Sequence, residues 1–355
     1  MRQPATTDRR VHEIVASKSG RLIDRLGPIA VAGAAAMWET DPYFRPALLK
    51  QLTASQIVFV ESLLIALCFL PAIGRIRREL RILSLRQWLA MAIIALGAQA
   101  FATVLFTQSL TYAFPAHGAP DLNVESEVYL LYMLQPIFGI AMARAVLKER
   151  RKPYFWPLAA GAVVGVYLII FAPNPLAPIS SLQHGELVAA LFILGAVILW
   201  ASGTVFGRYS LSSVSFVTTA AMRFTLALPA LLILMFANVG GGTLGAFSLG
   251  QAPSFIGIAL VPGLLAMLLY YRALAVTPAS MASVAELGYP CALFLVFSLP
   301  GPVGLGLPFY GIEIVGAAVL VAMVTTLNLL KPRDVVDTAR RREVTLAPEC
   351  GTSPS

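Results

Sequence analysis

The chain has 355 residues, of which 58% are hydrophobic and only 12% charged, and its mean hydropathy is +0.77. A soluble domain carries about twice that share of charge, so the composition excludes an ordinary globular protein and points to a polytopic, all-α membrane protein. The net charge of +8 would suit nucleic acid, but most of it sits in short basic clusters at the ends of apolar stretches, where membrane topology places it.

Residues 1–25 are polar and basic and read as a short cytoplasmic tail. The next apolar stretch, Leu26 to Trp38, is short. Its basic flank and Ala34-Ala35-Ala36 also fit a cleaved signal peptide, but the internal repeat described below needs this segment. It reads as a spanning helix over about 26–49, interrupted by Glu39, Asp41, Pro42 and Pro46, a break of the kind tolerated where a helix lines a cavity. Further spans are expected at about 53–73, 87–113, 124–147, 154–173, 185–206, 213–236, 253–274, 280–299 and 309–330. The tail from 331 to 355 is polar and basic. Residues 174–184 form a linker on the outer side.

The fourth span organises the rest. It begins at Glu125, is apolar from Val128 to Leu147, holds Gln135-Pro136 near its middle and ends in Lys148-Glu149-Arg150-Arg151. At helical spacing Glu125, Tyr129, Tyr132, Pro136 and Gly139 share one face. Leu130, Met133, Leu134, Ile137 and Ile140 occupy the others, suited to lipid or neighbouring helices. A face of acid, phenol, proline and glycine at bilayer depth suits a cavity wall, with plain helix packing as the alternative.

Charge orients the spans. Twenty-one of the 26 basic residues fall on one side: before span one, after spans two, four and six, and after span ten. The opposite side holds only Arg45 and Lys50. By the positive-inside rule both termini are cytoplasmic, and an even number of spans agrees.

The chain also repeats itself. Trp38 lies 23 residues before Glu61, and Trp200 lies 23 before Arg223. Gln108-Ser109-Leu110 matches Arg272-Ala273-Leu274, and Gln135-Pro136 matches Tyr289-Pro290. Pro153-Tyr154-Phe155 with Gly161 matches Pro308-Phe309-Tyr310 with Gly316. Two five-span units in tandem, 26–173 and 185–330, have opposite orientations because five is odd. That is the inverted-repeat plan of many secondary transporters, whose site lies near the midplane between the halves. The first unit carries about ten extra residues around Pro115 to Glu125 on the outer side, either a lid or a longer loop.

With these features the chain resembles the EamA-type members of the drug/metabolite transporter superfamily. The residues that carry the resemblance are Trp38 and Trp200, Arg223, the stretch YYRALAVTPAS (270–280), LQPIFGIAMARAVLKER (134–150) and VGAAVLVAMV (315–324). The resemblance implies ten helices around a central cavity, cytoplasmic termini and export of small metabolites. Three departures stand out. Glu61 replaces a frequent Arg, Pro300-Gly301-Pro302 replaces a Glu expected after the ninth span, and Glu39 and Asp41 make the end of span one unusually acidic.

A charge at bilayer depth costs about 2.5–3.5 kcal/mol on the insertion scale unless paired or hydrated. Glu61, Arg223, Glu286 and Glu313 therefore stand out. Glu61 and Arg223 occupy equivalent positions of the two halves, so a pseudo-twofold brings them face to face, as a gating pair or a static one. Glu286, one turn before Pro290, is the expected proton site, with a hydrogen bond to a neighbouring helix as its plain alternative. Glu313, near the outer end of span ten, reads as water-exposed. Ser215, Thr219 and Arg223 recur every fourth residue and extend a polar stripe toward the cavity. Tyr132, Gln135 and Tyr289 flank the two prolines. Trp38 and Trp200 either stack on a planar substrate or anchor at the interface.

Neither metal nor cofactor is expected: Cys68, Cys291 and Cys350 show no CxxC spacing, and His12, His117 and His184 are scattered. Without HExxH, GxSxG or a P-loop, the chain does not read as an enzyme. The sequence reads as an inner-membrane secondary transporter working by alternating access, a proton-coupled exporter of an amino-acid-like or other small polar metabolite. Nucleotide-sugar or lipid-linked-sugar transport and a non-transporting scaffold stay open. The partners expected are a small-molecule substrate and the lipid bilayer, not nucleic acid; a homodimer is left open.

Overall fold

In lipid every backbone amide needs a partner within the protein, and a helix supplies one to almost all of them. The computed structural model describes residues 26–114, 121–171, 174, 176, 186–239, 247–289 and 311–330, without the side chains of 42, 122, 123, 125, 126, 238 and 239. Among these residues every regular element is helical.

Helix α1 (Gly27–Trp38) starts on Pro28, whose fixed φ suits a first turn. It stops at Glu39. A single tight turn, Asp41–Tyr43, and the short α2 (Arg45–Leu49) then fold the chain back. The expected interruption of span one is therefore a real break. Helix α3 (Ala54–Cys68) is started by a capping box in which Thr53 and Gln56 exchange side-chain and backbone hydrogen bonds. A 45° bend separates it from Leu70–Leu80, whose last part is the charged α4 (Ile73–Leu80). Helix α5 runs over Leu85–Ala113. The fourth span divides into α6 (Leu122–Tyr132) and α7 (Gln135–Val146), parted at Met133-Leu134 just before Pro136. Then come α8 (Phe155–Ile170), α9 (Leu187–Ser210), α10 (Phe216–Thr225), α11 (Leu228–Val239), α12 (Leu249–Leu274), α13 (Ala279–Ala285) and α14 (Gly311–Leu329).

Six of these segments are long and apolar enough to cross a membrane, seven if the bent pair is one span. The first and fifth expected spans appear as the shorter apolar helices α1 and α8. The ninth begins as α13 and is described as far as Tyr289. Pro290, the Pro300-Gly301-Pro302 stretch and the loops holding His117, His184 and Gly240 lie outside the described residues, as do Cys291 and Cys350.

The internal repeat is visible in the backbone. Within α5, Ile93–Phe101 is π-helical, and within α12, Ala259–Leu265 is too. Aligning Gln108 with Arg272 carries the first of these onto residues 257–265. The widened turn thus recurs at the same place in both halves. In α12 Pro262, which cannot donate to the ladder, sits inside it.

Lipid tails are as apolar as leucine, so close packing rather than water exclusion holds these helices together. The clearest case is α8 against α14. A Cβ built on Gly165 would lie 2.8 Å from the carbonyl oxygen of Gly316, and one on Gly316 would lie 2.7 Å from that of Gly165. Only two glycines let these backbones touch. Similarly, a Cβ on Gly139 of α7 would overlap Ser283 of α13. Gly139 is therefore a packing residue, whereas Tyr129 and Tyr132 on that face reach the cavity. On the lipid side large apolar residues stay exposed, Ile137 and Ile233 at more than half their surface.

Candidate substrate cavity

The broken first span, the divided fourth span and the π-helical parts of α5 and α12 surround one cavity of about 530 Å³. It runs from the middle of the bundle toward the end that carries Asp41, Pro46 and Phe114. Of the residues singled out from sequence, Trp38, Glu61, Tyr132, Gln135, Trp200, Arg223 and Glu286 all line it. Tyr289 stands one layer behind, its ring 4.7 Å from that of Tyr132. Several lining residues are repeat partners: Trp38 with Trp200, Glu61 with Arg223, and Gln99 with Gly263.

Three polar knots hold the walls. The first is built on Glu286, at the end of α13. One carboxylate oxygen accepts from Tyr270 Oη at 2.6 Å and from Thr204 Oγ1 at 2.9 Å. The other accepts a short bond from Gln135 Nε2. Thr204 and Tyr270 are also 2.8 Å apart. One buried carboxylate therefore ties α7, α9, α12 and α13 together. Each hydrogen bond to a charged group is worth about 1.5–3 kcal/mol.

The second knot is Arg45, on α2. Its guanidinium grips Asp41 with two bonds of 2.5 and 2.8 Å, and reaches Glu61 at 3.0 Å and Thr107 Oγ1 at 3.0 Å. The third is Arg223, on α10. It donates to Gln99 Oε1 at 2.7 Å, the carbonyl of Ala98 at 3.1 Å and Tyr271 Oη at 3.4 Å. Both Gln99 and Ala98 belong to the π-helical turn of α5, where a widened turn leaves a carbonyl for other donors.

These knots correct one expectation. Glu61 and Arg223 share the cavity but do not bond to each other. The break after α1 swings Arg45 inward, and Arg45 takes Glu61, while Arg223 meets the α5 turn first. One further expectation also changes. Of the Ser215–Thr219–Arg223 stripe only Arg223 lines the cavity; Ser215 caps α10 by accepting from the Thr218 amide, and the Thr219 hydroxyl returns to the Ser215 carbonyl. Glu313 is partly exposed in the first turn of α14.

Aromatic rings form the rest of the wall. Trp38 leans on Tyr270 with centroids 5.2 Å apart, and Trp200 on Phe106 at 5.2 Å and Tyr132 at 5.7 Å. Both tryptophans are thus cavity residues rather than interfacial anchors. Sequence reading missed Arg45, Thr204, Tyr270 and Gln99 as site residues. Arg45 carried a usable signal, since it follows Asp41 by four residues in an otherwise cation-poor region. Thr204 carried none, being one hydroxyl in a long apolar helix.

At the end bearing the arginine clusters the cavity is shut. Glu149, which follows α7, accepts from the backbone N–H groups of Ala279 (2.9 Å) and Ser280 (3.1 Å) at the start of α13, and from Ser280 Oγ at 2.6 Å. Arg151 braces it at 2.5 Å. Glu79, on α4, accepts from the Ser215 N–H at the start of α10 at 2.8 Å, braced by Arg75. A carboxylate at a helix N-terminus satisfies orphan amides and meets the positive end of the dipole. Arg208 closes the far side by donating to the carbonyls of Leu274 and Ala275.

A family model described as the EamA-like transporter family matches residues 25–171 and again residues 187–292. The chain belongs to the EamA-like transporter family. Its two matches are the two repeats. The riboflavin transporter ImpX of Fusobacterium nucleatum subsp. nucleatum is 33% identical over 165 residues. That match covers 46% of this chain and 54% of the relative, so the chain spans about half the length of that relative. A solved crystal structure, 16% identical, shares the fold with a TM-score of 0.59 over 89% of this chain and 97% of its own.

Proposed function

We propose that this EamA-family transporter moves a planar, ring-bearing metabolite with polar edges, of the flavin class, by proton-coupled alternating access. The observation that carries the substrate class is the aromatic wall: Trp38, Tyr270, Trp200, Phe106 and Tyr132 flank a 530 Å³ cavity. That volume falls in the range that holds a drug-sized ligand, and stacked rings recognise a flat π-system at little entropic cost. The riboflavin-transporting relative supports the same class. The aromatic wall favours a ring over the amino-acid-like solute expected from the sequence.

Glu286 is the proposed coupling site. Ionised, it accepts all three donors and draws four helices together. A proton on one oxygen removes the charge that strengthens the three accepted bonds, so the knot weakens. That loosens the helices that close the arginine-rich end. The ligand enters from the open end, the proton releases the knot, and the Glu149 and Glu79 contacts part. By the positive-inside rule the arginine clusters support a cytoplasmic side for that end and for both termini. The repeats on this reading are 26–173 and 185–330, antiparallel in the cytoplasmic membrane.

Titration of the purified transporter with riboflavin tests the substrate class. Saturable quenching of tryptophan fluorescence, weakened about tenfold or more in Trp38→Ala through loss of a stacking partner, supports it. Absence of saturable binding to the folded wild type refutes it.

A further inference from the structure

The cavity lining holds four carboxylates, Glu39, Asp41, Glu61 and Glu286, against two guanidiniums, Arg45 and Arg223. Three of the four acids are already satisfied. Asp41 and Glu61 share Arg45, and Glu286 accepts three donors. Arg223 acts electrostatically on Glu61 and on Glu286. Glu39 remains. It is only 8% exposed and lines the cavity directly after Trp38. Among the described residues its carboxylate has no hydrogen bond and no ion pair, and the charge that acts on it is another carboxylate, Asp41.

A buried carboxylate without a partner is expensive, and proteins retain one where something else supplies the partner. We infer that Glu39 is the specificity-determining residue of the cavity: it accepts a hydrogen bond from a nitrogen-borne hydrogen of the ligand and turns anionic ligands away. Two further wall atoms are buried without partners, the Trp38 indole N–H and Gln135 Oε1. The first is a donor and the second an acceptor, and neither has accessible surface of its own on the cavity. The phenols of Tyr132 and Tyr289 lie within electrostatic reach of Glu39, so its surroundings are polarisable rather than purely aliphatic. No cation stands beside Glu39 among the described residues, so an entering anion would meet no compensating positive charge there, whereas a ligand cation would favour the ionised carboxylate.

The inference deepens the ring-substrate reading and rests on the same cavity, but it makes a separate claim about charge. Three planar probes test it by equilibrium binding to the full-length protein: neutral riboflavin, its anionic 5′-phosphate, and the cation proflavine, which carries N–H groups. The wild type is expected to bind proflavine at least about tenfold more tightly than the phosphate, the scale of one lost charged hydrogen bond. Glu39→Gln should erase most of that preference, weakening proflavine and strengthening the phosphate. Should the Gln variant not fold, Glu39→Asp, which keeps the charge, must retain the preference and Glu39→Ser must lose it. Equal binding of cation and anion by the wild type, or a preference unchanged without the carboxylate, overturns the inference while leaving a riboflavin-binding cavity intact. A Glu39-dependent preference for proflavine with no riboflavin binding removes the flavin reading and keeps this one. Failure of all three probes to bind folded wild type removes both.

Discussion

The two ends of the bundle treat their carboxylates differently. At the arginine-rich end Glu149 and Glu79 each cap a helix of the second repeat from the first, and each is braced by its own arginine. Within the cavity and toward the opposite end, Glu286 and Glu61 are fully engaged while Glu39, one residue past a helix end, has no partner among the described residues. The difference separates contacts that join helices of the two repeats from a group left open to the cavity. The sealed end uses bonds between side chain and backbone that two rigid helices can make or break together. The open end keeps polar groups unsatisfied, which costs stability and leaves them available to a ligand.

The comparison can be broken most severely at Arg45. Arg45→Ala leaves Asp41 and Glu61 buried without their cation, a loss of about 3–5 kcal/mol, which should appear as a large fall in thermal stability in detergent. Adding Asp41→Asn and Glu61→Gln to that variant should recover most of it. If the single variant is as stable as wild type, the mouth is not held by this pair of acids.

A smaller effect is expected at the Glu286 knot. Tyr270→Phe removes one of three donors, about 1.5–3 kcal/mol. The variant should fold and should open more easily at the sealed end, raising modification of Ser283→Cys by an impermeant thiol reagent from the arginine-rich side in a background without native cysteines. The smallest effect belongs to the seal itself. Glu79→Gln keeps an acceptor for the Ser215 N–H and loses only the ion pair with the largely exposed Arg75, about 0.2–1 kcal/mol, and should raise the same labelling modestly. Labelling that rises more in Glu79→Gln than in Tyr270→Phe would reverse the assigned roles of the two regions.

Much of this was legible in the sequence because it repeats. The spacing that aligned Trp38 with Trp200 and Glu61 with Arg223 picked out residues that line one cavity, since equivalent positions of an inverted repeat converge on its axis. The helix break after Trp38 was legible from Glu39, Asp41 and the two prolines. What was not legible is where the break sends the chain. Arg45 read as an outer-loop cation because sequence distance hides a fold-back, and its return to Glu61 displaced the expected pairing with Arg223. The π-helical turns were equally hidden. They arise from packing of α5 and α12 around the cavity, and only Pro262 hints at one of them. Ser215 and Thr219 had the right period but lay in the first turn of α10, where a hydroxyl serves the backbone before it serves a cavity.

The most direct measurement is riboflavin counterflow in proteoliposomes at two internal pH values, for wild type and for Glu286→Gln, with folding checked by thermal unfolding in detergent. Uptake that follows the pH gradient in the wild type and loses that dependence in the folded variant is the predicted result. Gradient-driven uptake that is the same in both proteins would contradict the assignment of Glu286 as the carboxylate that couples the proton to the opening of the arginine-rich end.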